Sequence, residues 1–285
     1  KKAVKSHLER MGISGSVESS EIYPVIYRVK YQVQGSPLVS IILSEDHANA
    51  DSAKCEQSIR EKTTYSNYEI LIRRAEMTWN ETAAKAKGEY LLFLDSDCIC
   101  TQESWLEELL GVAQREEVGA VGAVVSYPKG VIRDAGITLG VGYYNLGSCN
   151  FYLLNDDHSG FWGNFYYMHN VSAVSDTCML VRKKYYDMAG GMDNGLKTWF
   201  AGLDLSLKLM KAGKVNVLDP YARMGFAHND LINWEAKRNA NGEYVDETEQ
   251  ISLLKERWGE VIRKGDPYYN ANLTKNSSDF ILGKL

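Results

Sequence analysis

The sequence contains no apolar run long enough to cross a bilayer, no paired cysteine motif and no excess of positive charge. No apolar run approaches the roughly 18 residues that a membrane-spanning helix needs. The 285 residues include 32 Lys and Arg against 37 Asp and Glu, a formal charge of −5. This mildly acidic balance lacks the basic footprint of duplex nucleic-acid binders. We therefore expect no nucleic-acid partner and no transmembrane segment.

The cysteines are few, and their positions do not pair. Five cysteines are scattered along the chain, and none shows the spacing of a zinc site. We expect free, mostly buried thiols in a reducing compartment. The start, KKAVKSHLERMG, is charged and amphipathic, so we do not expect it to be a signal peptide. It also lacks an initiator Met, so we expect either a fragment of a longer polypeptide or a shortened chain.

The chain is neither disordered nor fibrous, since 45% of its residues are hydrophobic and 24% are charged. Short apolar runs alternate with helical patterns up to about residue 125. This alternation predicts an α/β fold with a doubly wound, mostly parallel sheet. The predicted strands are 38–43, 68–72, 90–94 and 118–125, and the helices between them are 50–62, 79–87 and 102–115.

The pattern changes after residue 126. Two further strands are predicted at 131–141 and 172–182, with helices at 183–189 and 203–212. The tail at 247–264 has the apolar stripe of an amphipathic helix. A short helix at 1–11 and an extended stretch at 21–36 precede the sheet. We predict one α/β domain with helical additions at both ends: a lead-in at 1–36, a core at 37–230 whose halves meet after residue 125, and an extension at 231–285.

Two acids end the third predicted strand, in Leu91-Leu92-Phe93-Leu94-Asp95-Ser96-Asp97. Side chains alternate along an extended chain, so Asp95 and Asp97 are predicted to point the same way. They lie at the carboxyl end of a parallel strand, where open α/β sheets bind ligands. Two close carboxylates favour a divalent cation such as Mg²⁺ or Mn²⁺, which bridges to a diphosphate. The alternative is a pair of loop acids that cap the helix beginning near Gln102.

This acidic segment and several others resemble glycosyltransferase family 2, whose members have the GT-A fold. The resemblance is most specific at 87–97, followed by Trp105-Leu106-Glu107-Glu108-Leu109. Shorter matching stretches extend it over most of the chain. They lie at 38–42, 64–70, 118–123, 134–136, 178–182, 190–193 and 204–209. The tail at 266–273, after Arg257-Trp258-Gly259, is similar to bacterial rhamnosyltransferase-like members.

The resemblance implies transfer of a sugar, with inversion, from a nucleotide-diphosphate donor to an acceptor hydroxyl. It implies that Asp95 and Asp97 bind the metal, with Asp95 also beside the nucleotide. His228 lies close to the place of a third ligand in many members. The alternative for His228 is an ordinary surface or core histidine.

The base that takes the acceptor proton is less well matched. Asp204 matches the second acid of the family's motif, whereas Gly202 stands at the usual base position. Asp204 is therefore either the base or an acid that stabilises the first turn of a helix. Asp176 replaces a glycine expected beside the donor sugar. A carboxylate there could exclude a sugar, bind a hydroxyl or replace the missing base.

The nucleotide pocket combines matches and departures. The resemblance implies nucleotide contacts for Ser44, Asp46, Arg74 and Asn80. Arg74 stands where an Asp is expected, and a segment that relatives carry after the second strand is missing. These departures leave two hypotheses. The first is an active transferase for a bacterial surface polysaccharide. The second is a catalytically impaired GT-A-fold domain that serves as a binding or structural module of a larger protein.

Aromatic residues are concentrated in one stretch. The chain has 18 Tyr, 7 Phe and 6 Trp, and nine of these rings lie between Tyr143 and Tyr167. Rings stack on sugars, and the polar ends of Tyr and Trp hydrogen-bond them. We therefore predict acceptor contacts for Trp162 and Tyr166, against the alternative of a satellite core under a long loop. The expected acceptor is a saccharide or a lipid-linked saccharide, used in the cytoplasm or at the inner face of the cell membrane.

Overall fold

A computed structural model gives the fold and describes residues 1–45, 52–142, 144–157, 159–197, 199–227 and 247–283. The strands are, in chain order, β1 (Gly15–Ser19), β2 (Tyr27–Tyr31), β3 (Val39–Glu45), β4 (Tyr68–Arg74), β5 (Tyr90–Asp95), β6 (Cys98–Cys100), β7 (Val118–Tyr127), β8 (Val131–Asp134), β9 (Ile137–Leu139), β10 (Gly147–Cys149), β11 (His169–Val171), β12 (Cys178–Arg182) and β13 (Val215–Phe226). Nine of them form one sheet, while β1 pairs with β2 and β9 with β10.

The central sheet is mixed in direction. Its order is β11-β13-β7-β12-β5-β3-β4, with β6 beside β13 and β8 beside β7. Strands β4, β3 and β5 run parallel, as do β7 and β13. Between these groups β12 runs antiparallel to both β5 and β7. The predicted α/β class is confirmed. Five strands of the sheet, β3, β4, β5, β7 and β13, run in one direction, and β6, β8, β11 and β12 run in the other. The sequence did not indicate the opposite strands, because a buried apolar run has the same pattern in either direction.

Helices cover both faces of the sheet, as a doubly wound fold requires. They are α1 (Lys2–Arg10), α2 (Ser52–Lys62), α3 (Trp79–Lys85), α4 (Trp105–Ala113), α5 (Lys183–Met188), α6 (Trp199–Lys211) and α7 (Thr248–Arg263), with a 3-10 helix at Phe161–Tyr166. Cys55 of α2 and Trp105 of α4 belong to the core on one face. Phe200 of α6 and Trp258 of α7 belong to the core on the other face. None of these described helices is long and apolar enough to span a membrane.

Three of the differences between the observed and the predicted element boundaries are large. The strand predicted at 131–141 is divided into β8 and β9 by Gly136, whose φ is +79°. Only Cys178–Arg182 of the strand predicted at 172–182 joins the sheet as β12. Helix α6 begins at Trp199 rather than at residue 203. The earlier start buries Phe200 completely, with its ring 4.4 Å from that of Trp199.

The cysteines match the sequence prediction. All five are free, and four of them are buried: Cys55, Cys98, Cys100 and Cys178. Burial raises the pKa of the Cys100 thiol to about 11 and that of the Cys178 thiol further above its ordinary value. Since the thiolate is the reactive form, these buried thiols are inert at neutral pH.

Candidate active site

Polar side chains meet where the parallel strands β3, β4 and β5 end. In the sheet register Ser44 of β3 lies opposite Arg73 of β4 on one side and Asp95 of β5 on the other. Because these strands are parallel, their carboxyl ends share one edge of the sheet. Ser44 and Arg73 are buried, and Asp95 is partly exposed. This edge therefore brings Ser44 and Asp95 together, and their contacts with a nucleotide stay predictions.

The chain turns sharply between Asp95 and Asp97. Strand β5 ends at Asp95, and the backbone N–H of Asp97 donates to Asp95 Oδ1 at 3.0 Å. Asp97 is buried, at 5% exposure. Its backbone carbonyl accepts from the Ala227 N–H at 2.8 Å. The two acids are close, but a turn joins them instead of the extended strand that the alternation argument assumed. An aspartate that bonds the backbone two residues on is a common way to stabilise such a turn.

An arginine that the sequence analysis missed lies beside the acidic pair. Arg133 Nη2 is 3.5 Å from Asp95 Oδ2, and Nη1 donates to Thr177 Oγ1 at 2.6 Å. The guanidinium also lies over the Phe226 ring, 4.1 Å from its centroid. Arginine presents a planar fork of donors that matches carboxylate and phosphate oxygens. The only sequence signal was its position directly before the matching stretch at 134–136.

The loop at 172–177 is hydrogen-bonded to the end of β5. The Thr177 carbonyl accepts from the Asp95 N–H at 2.9 Å, and Ser175 Oγ accepts from the Thr177 N–H at 3.1 Å. Asp176 lies between these two anchored residues and is largely buried. The loop therefore holds Asp176 next to the residues that fix Asp95.

Gly202 has a packing reason. A Cβ atom on Gly202 would lie 2.5 Å from the Asp176 backbone nitrogen and 2.8 Å from the Val174 carbonyl oxygen. Contacts that short do not occur, so α6 can press against the loop only with glycine at this position. The position where the family resemblance implies a base therefore has no room for a side chain. Asp176 is the carboxylate-bearing residue against which Gly202 packs.

Asp204 lies inside the helical layer. Its side chain is 0% exposed, and Oδ1 accepts from Arg257 Nη1 at 2.6 Å and from Trp258 Nε1 at 2.8 Å. Lys208 Nζ is 2.8 Å from Oδ2. Since α6 begins at Trp199, Asp204 is not in the first turn, where the helix-dipole interpretation expected it. These contacts give Asp204 the structural task of joining α6 to α7, and its role as the base stays a prediction.

Asn80 and Arg74 are positioned by the segment after β4. The Asn80 amide donates to the Met192 carbonyl at 2.7 Å and accepts from the Tyr186 hydroxyl at 2.5 Å, so it joins α3 to the loop after α5. Arg74 ends β4 with an exposed side chain. Thr78 then caps α3 in a reciprocal pair with Glu81. Nucleotide contacts for Asn80 and Arg74 stay predictions.

The two predicted acceptor residues lie in different surroundings. Trp162 is 82% exposed and borders a cleft of about 420 Å³. Tyr166 packs edge-on against Tyr23 at 5.2 Å between ring centroids, and its carbonyl accepts from the Tyr221 hydroxyl at 2.6 Å. Trp162 therefore remains available to a ligand, whereas the Tyr166 ring packs within the protein.

Two predicted site residues, Asp46 and His228, lie outside the described residues. Among the described residues, no group of three or more His, Cys, Asp and Glu side chains is arranged to hold a metal ion. Asp95 and Asp97 are thus the predicted ligands that can be assessed.

Comparisons with known proteins agree with this fold. Residues 73–188 match the model of "Glycosyl transferase family 2". The crystal structure of GalNAc-T7 with UDP, GalNAc and Mn²⁺ is similar in fold, with a TM-score of 0.59 and 13% identity, and the similarity covers 92% of this chain and 57% of that one.

Two bacterial proteins are similar in sequence over nearly the whole chain. The uncharacterised protein y4gI of Sinorhizobium fredii is 29% identical, covering 99% of this chain and 34% of the relative. The O-antigen biosynthesis protein RfbC of Myxococcus xanthus is 29% identical, covering 98% of this chain and 23% of the relative. The chain thus spans about a third or less of the length of these relatives. It has the GT-A fold, and its residues 73–188 are similar to glycosyl transferase family 2.

Proposed function

We propose that the chain is the catalytic region of an inverting glycosyltransferase that uses a nucleotide-diphosphate sugar. The observation that carries the proposal is the sheet edge where Ser44, Asp95 and Asp97 meet Arg133. Acids for a cation and a guanidinium for phosphate oxygens lie within one small area, at the end of the strands where α/β folds bind nucleotides. The family match over residues 73–188 includes Asp95, Asp97 and Arg133.

The acidic pair fits a divalent cation. Its donor set is all oxygen, which Mg²⁺ and Mn²⁺ prefer. Mg²⁺ is commonly bound by one or two carboxylates together with substrate phosphates, so a larger cluster of protein ligands is not needed. Asp95 and Asp97 would hold the cation, and His228 remains a predicted third ligand. Bound there, the cation would neutralise the charge of the leaving diphosphate.

Arg133 supports the diphosphate in this proposal. Its guanidinium is held by Thr177 and Asp95 and stacks over Phe226, so its orientation is fixed before a substrate arrives. Five N–H donors exceed what these partners use, which leaves donors for phosphate oxygens. Ser44 lies beside Asp95 in the register and would contact the nucleotide. Nucleotide contacts from Asp46, Arg74 and Asn80 complete the proposed donor site.

The acceptor hydroxyl must lose a proton as it attacks the sugar. A new bond forms from the acceptor oxygen to the anomeric carbon, the bond from that carbon to the diphosphate breaks, and the proton passes to a carboxylate. We assign this task to Asp176. It precedes Thr177, whose carbonyl accepts from the Asp95 N–H, and its backbone packs against Gly202, where no side chain fits. Asp204 is the less favoured candidate because its carboxylate is enclosed by Arg257, Trp258 and Lys208.

The relatives suggest the biological setting. One of them is named an O-antigen biosynthesis protein, which supports a role in bacterial surface polysaccharide synthesis with a saccharide or lipid-linked saccharide acceptor. We propose that the chain works in the cytoplasm or at the inner face of the cell membrane, as a rhamnosyltransferase-like enzyme. We also retain residues 37–230 as the proposed transferase domain, between a lead-in at 1–36 and an extension at 231–285.

A catalytically impaired binding module is the competing hypothesis. It rests on four departures from the family pattern: Gly202, Arg74, Asp176 and the segment missing after the second strand. The packing of Gly202 against Asp176 and Val174 gives one of these departures a structural reason, and this lowers its weight as a sign of lost activity. We therefore favour the enzyme.

Calorimetry tests the proposal. UDP, dTDP and GDP are titrated into the protein with Mn²⁺, and each variant is first checked for an unchanged unfolding transition. We expect one nucleotide to bind, Asp97→Asn to abolish binding and Arg133→Met to weaken it about tenfold or more, since a hydrogen bond to a charged group contributes about 1.5–3 kcal/mol. Asp187→Asn, which removes an exposed carboxylate paired with Lys183, is the control. No binding at millimolar nucleotide would contradict the proposal.

A further inference from the structure

The cleft beside Trp162 is separate from the acidic edge. It is bounded by β9, the 3-10 helix, β11 and the C-terminal segment that follows α7, and its volume is about 420 Å³. This volume is at the lower end of the range of about 300–1,000 Å³ typical of small-molecule sites. The lining residues are Ile137, Thr138, Asn150, Phe161, Trp162, Asn164, Tyr167, His169, Asn170, Val171, Ser172, Asp266, Tyr268 and Phe280. We call this the aromatic cleft.

One wall of the aromatic cleft is built from stacked rings. Phe280 lies between Phe161 and Phe151, with centroid distances of 5.4 Å and 4.9 Å and interplanar angles of 24° and 13°. Trp162 follows Phe161 and is 82% exposed, and Tyr268 is also exposed. The stack supports the rim, while the rings of Trp162 and Tyr268 remain available to solvent.

The backbone at the rim is in an unusual conformation. Trp162 has φ +54° and Phe280 has φ +59°, both in the left-handed region that bulky residues rarely adopt. Such a conformation costs about 1–3 kcal/mol and persists where the surrounding structure enforces it. At Trp162 this conformation exposes a large ring to solvent, so burial of apolar surface does not explain it. Strain of this kind points to a binding role for the Trp162 ring.

The opposite wall carries hydrogen-bonding groups. Thr138 Oγ1 donates to Asn150 Oδ1 at 2.7 Å, and Asp266 accepts from the Leu139 N–H at 2.7 Å. Asn164 is only 5% exposed, and its Oδ1 accepts no hydrogen bond within the described residues. Asn164 Oδ1 lies against Gly160. The exposed Asn170 amide also lines the aromatic cleft and can meet a ligand hydroxyl.

The charge of the aromatic cleft selects among ligands. Within the part of the chain that the structure describes, its lining residues include one carboxylate, Asp266, and no Lys or Arg. Burial lowers the pKa of His169, so this imidazole is neutral near pH 7. Phosphate and nucleotide groups therefore find no cation in this cleft. Exposed rings on one side and amide, hydroxyl and carboxylate groups on the other match the apolar and polar faces of a neutral sugar.

The aromatic cleft is close to the acidic edge along the chain. Arg133, which contacts Asp95, and Ile137, which lines the cleft, are four residues apart, so their Cα atoms are at most about 14 Å from each other. An oligosaccharide can span such a distance between two subsites.

We propose that the aromatic cleft binds a neutral sugar unit of the acceptor saccharide, with Trp162 and Tyr268 stacking on it and the C-terminal segment at 266–280 forming one wall. The identification of this sugar as part of the acceptor rests on the proposed function. The binding of a sugar in the cleft rests on the contacts described above. It makes the segment after α7 part of substrate recognition.

Ligand-observed NMR on the full chain tests the proposal, without nucleotide or metal. The probes are methyl glycosides of rhamnose, glucose, galactose and N-acetylglucosamine, together with inorganic phosphate. We expect at least one glycoside to bind and phosphate not to bind. Trp162→Ala and Tyr268→Ala should each weaken glycoside binding about tenfold, whereas Tyr152→Ala, which removes an exposed ring outside the lining, should leave it unchanged.

The same variants are then titrated with nucleotide and Mn²⁺. Unchanged nucleotide affinity alongside lost glycoside binding supports the proposal. Glycoside binding without nucleotide binding would contradict the proposed transferase but support a sugar-binding cleft. The cleft proposal is overturned if no glycoside binds, if phosphate competes, or if both variants bind glycoside as the unsubstituted protein does.

Discussion

At the residue scale, Gly202 lets α6 pack against the loop at 174–176 and leaves no room for a carboxylate at position 202 itself. The loop backbone occupies the space where any larger residue at this position would place its side chain. Sequence comparison alone presents this glycine as a missing base. The structure presents it as the contact that allows α6 to pack beside Asp176.

Adding a methyl group at Gly202 tests this packing. We expect Gly202→Ala to lower the free energy of unfolding by about 1–3 kcal/mol or more, because a Cβ 2.5 Å from the Asp176 nitrogen forces the helix or the loop to move. The measurement is urea unfolding at equilibrium. Gly259→Ala on α7 is the matched control, since a Cβ there meets nothing within 4 Å. Gly259→Ala should raise the free energy of unfolding by up to about 1 kcal/mol, because alanine favours a helix more than glycine does. Equal effects from the two substitutions would refute the packing argument.

The position of a side chain was predictable where the signal was local. Asp95 and Asp97 were placed at the end of a strand because an acidic pair after a buried apolar run is a local pattern, and their role as metal ligands stays a prediction. Arg133 was missed because its contact with Asp95 depends on β8 pairing beside β7. No spacing in the sequence encodes that contact.

At the element scale, Asp204 links α6 to α7. Two cations and an indole N–H converge on one fully buried carboxylate. The sequence predicted both helices, the second of them from its apolar stripe. It could not predict the link, because the partners are about fifty residues apart and join only when α7 packs on α6.

Substitution at Asp204 tests the helix link. We expect Asp204→Asn to lower the free energy of unfolding by about 3–5 kcal/mol, since removing one partner leaves buried charge without compensation. Asp193→Asn is the control, because Asp193 shares Arg257 but is a quarter exposed, and exposed pairs contribute about 0–1 kcal/mol. Urea unfolding measures both. An Asp204→Asn protein that is as stable as the control but loses transferase activity would instead support the base role.

Strand β13 carries a group whose ionisation opposes folding. Burial raises the pKa of Asp219 from its ordinary 3.8 to about 7, with Arg28, Lys30 and Glu108 as charged neighbours. Between these pKa values the folded state binds more protons than the unfolded chain. The free energy of unfolding should therefore fall as pH rises from about 4 to about 7 and level off above that.

The Asp219→Asn variant isolates this contribution. It should remove up to about 4 kcal/mol of that decline, since each pKa unit corresponds to about 1.4 kcal/mol. Urea unfolding across this pH range measures the two curves. Asp187→Asn, at an exposed position, should leave the slope unchanged. Parallel curves for Asp219→Asn and the unsubstituted protein would contradict a raised pKa.

At the scale of the whole molecule, the fold was more predictable than the site. Alternating apolar runs and amphipathic stripes gave the α/β class, because burial leaves a periodic pattern in the sequence. The direction of β12 and the turn after Asp95 were missed, since both depend on how the loop at 172–177 returns across the sheet. The concentration of rings at 143–167 led to Trp162, but the partners from the C-terminal segment were visible only in the folded chain.

The central claim is that a nucleoside diphosphate and a divalent cation bind at the edge formed by Asp95, Asp97 and Arg133. A crystal structure of the protein with Mn²⁺ and the nucleotide selected by calorimetry tests it most directly. The account predicts Mn²⁺ bonded to the Asp97 carboxylate and diphosphate oxygens within hydrogen-bond distance of Arg133. A nucleotide bound elsewhere on the molecule, or an edge that stays empty with saturating nucleotide and Mn²⁺, would contradict it.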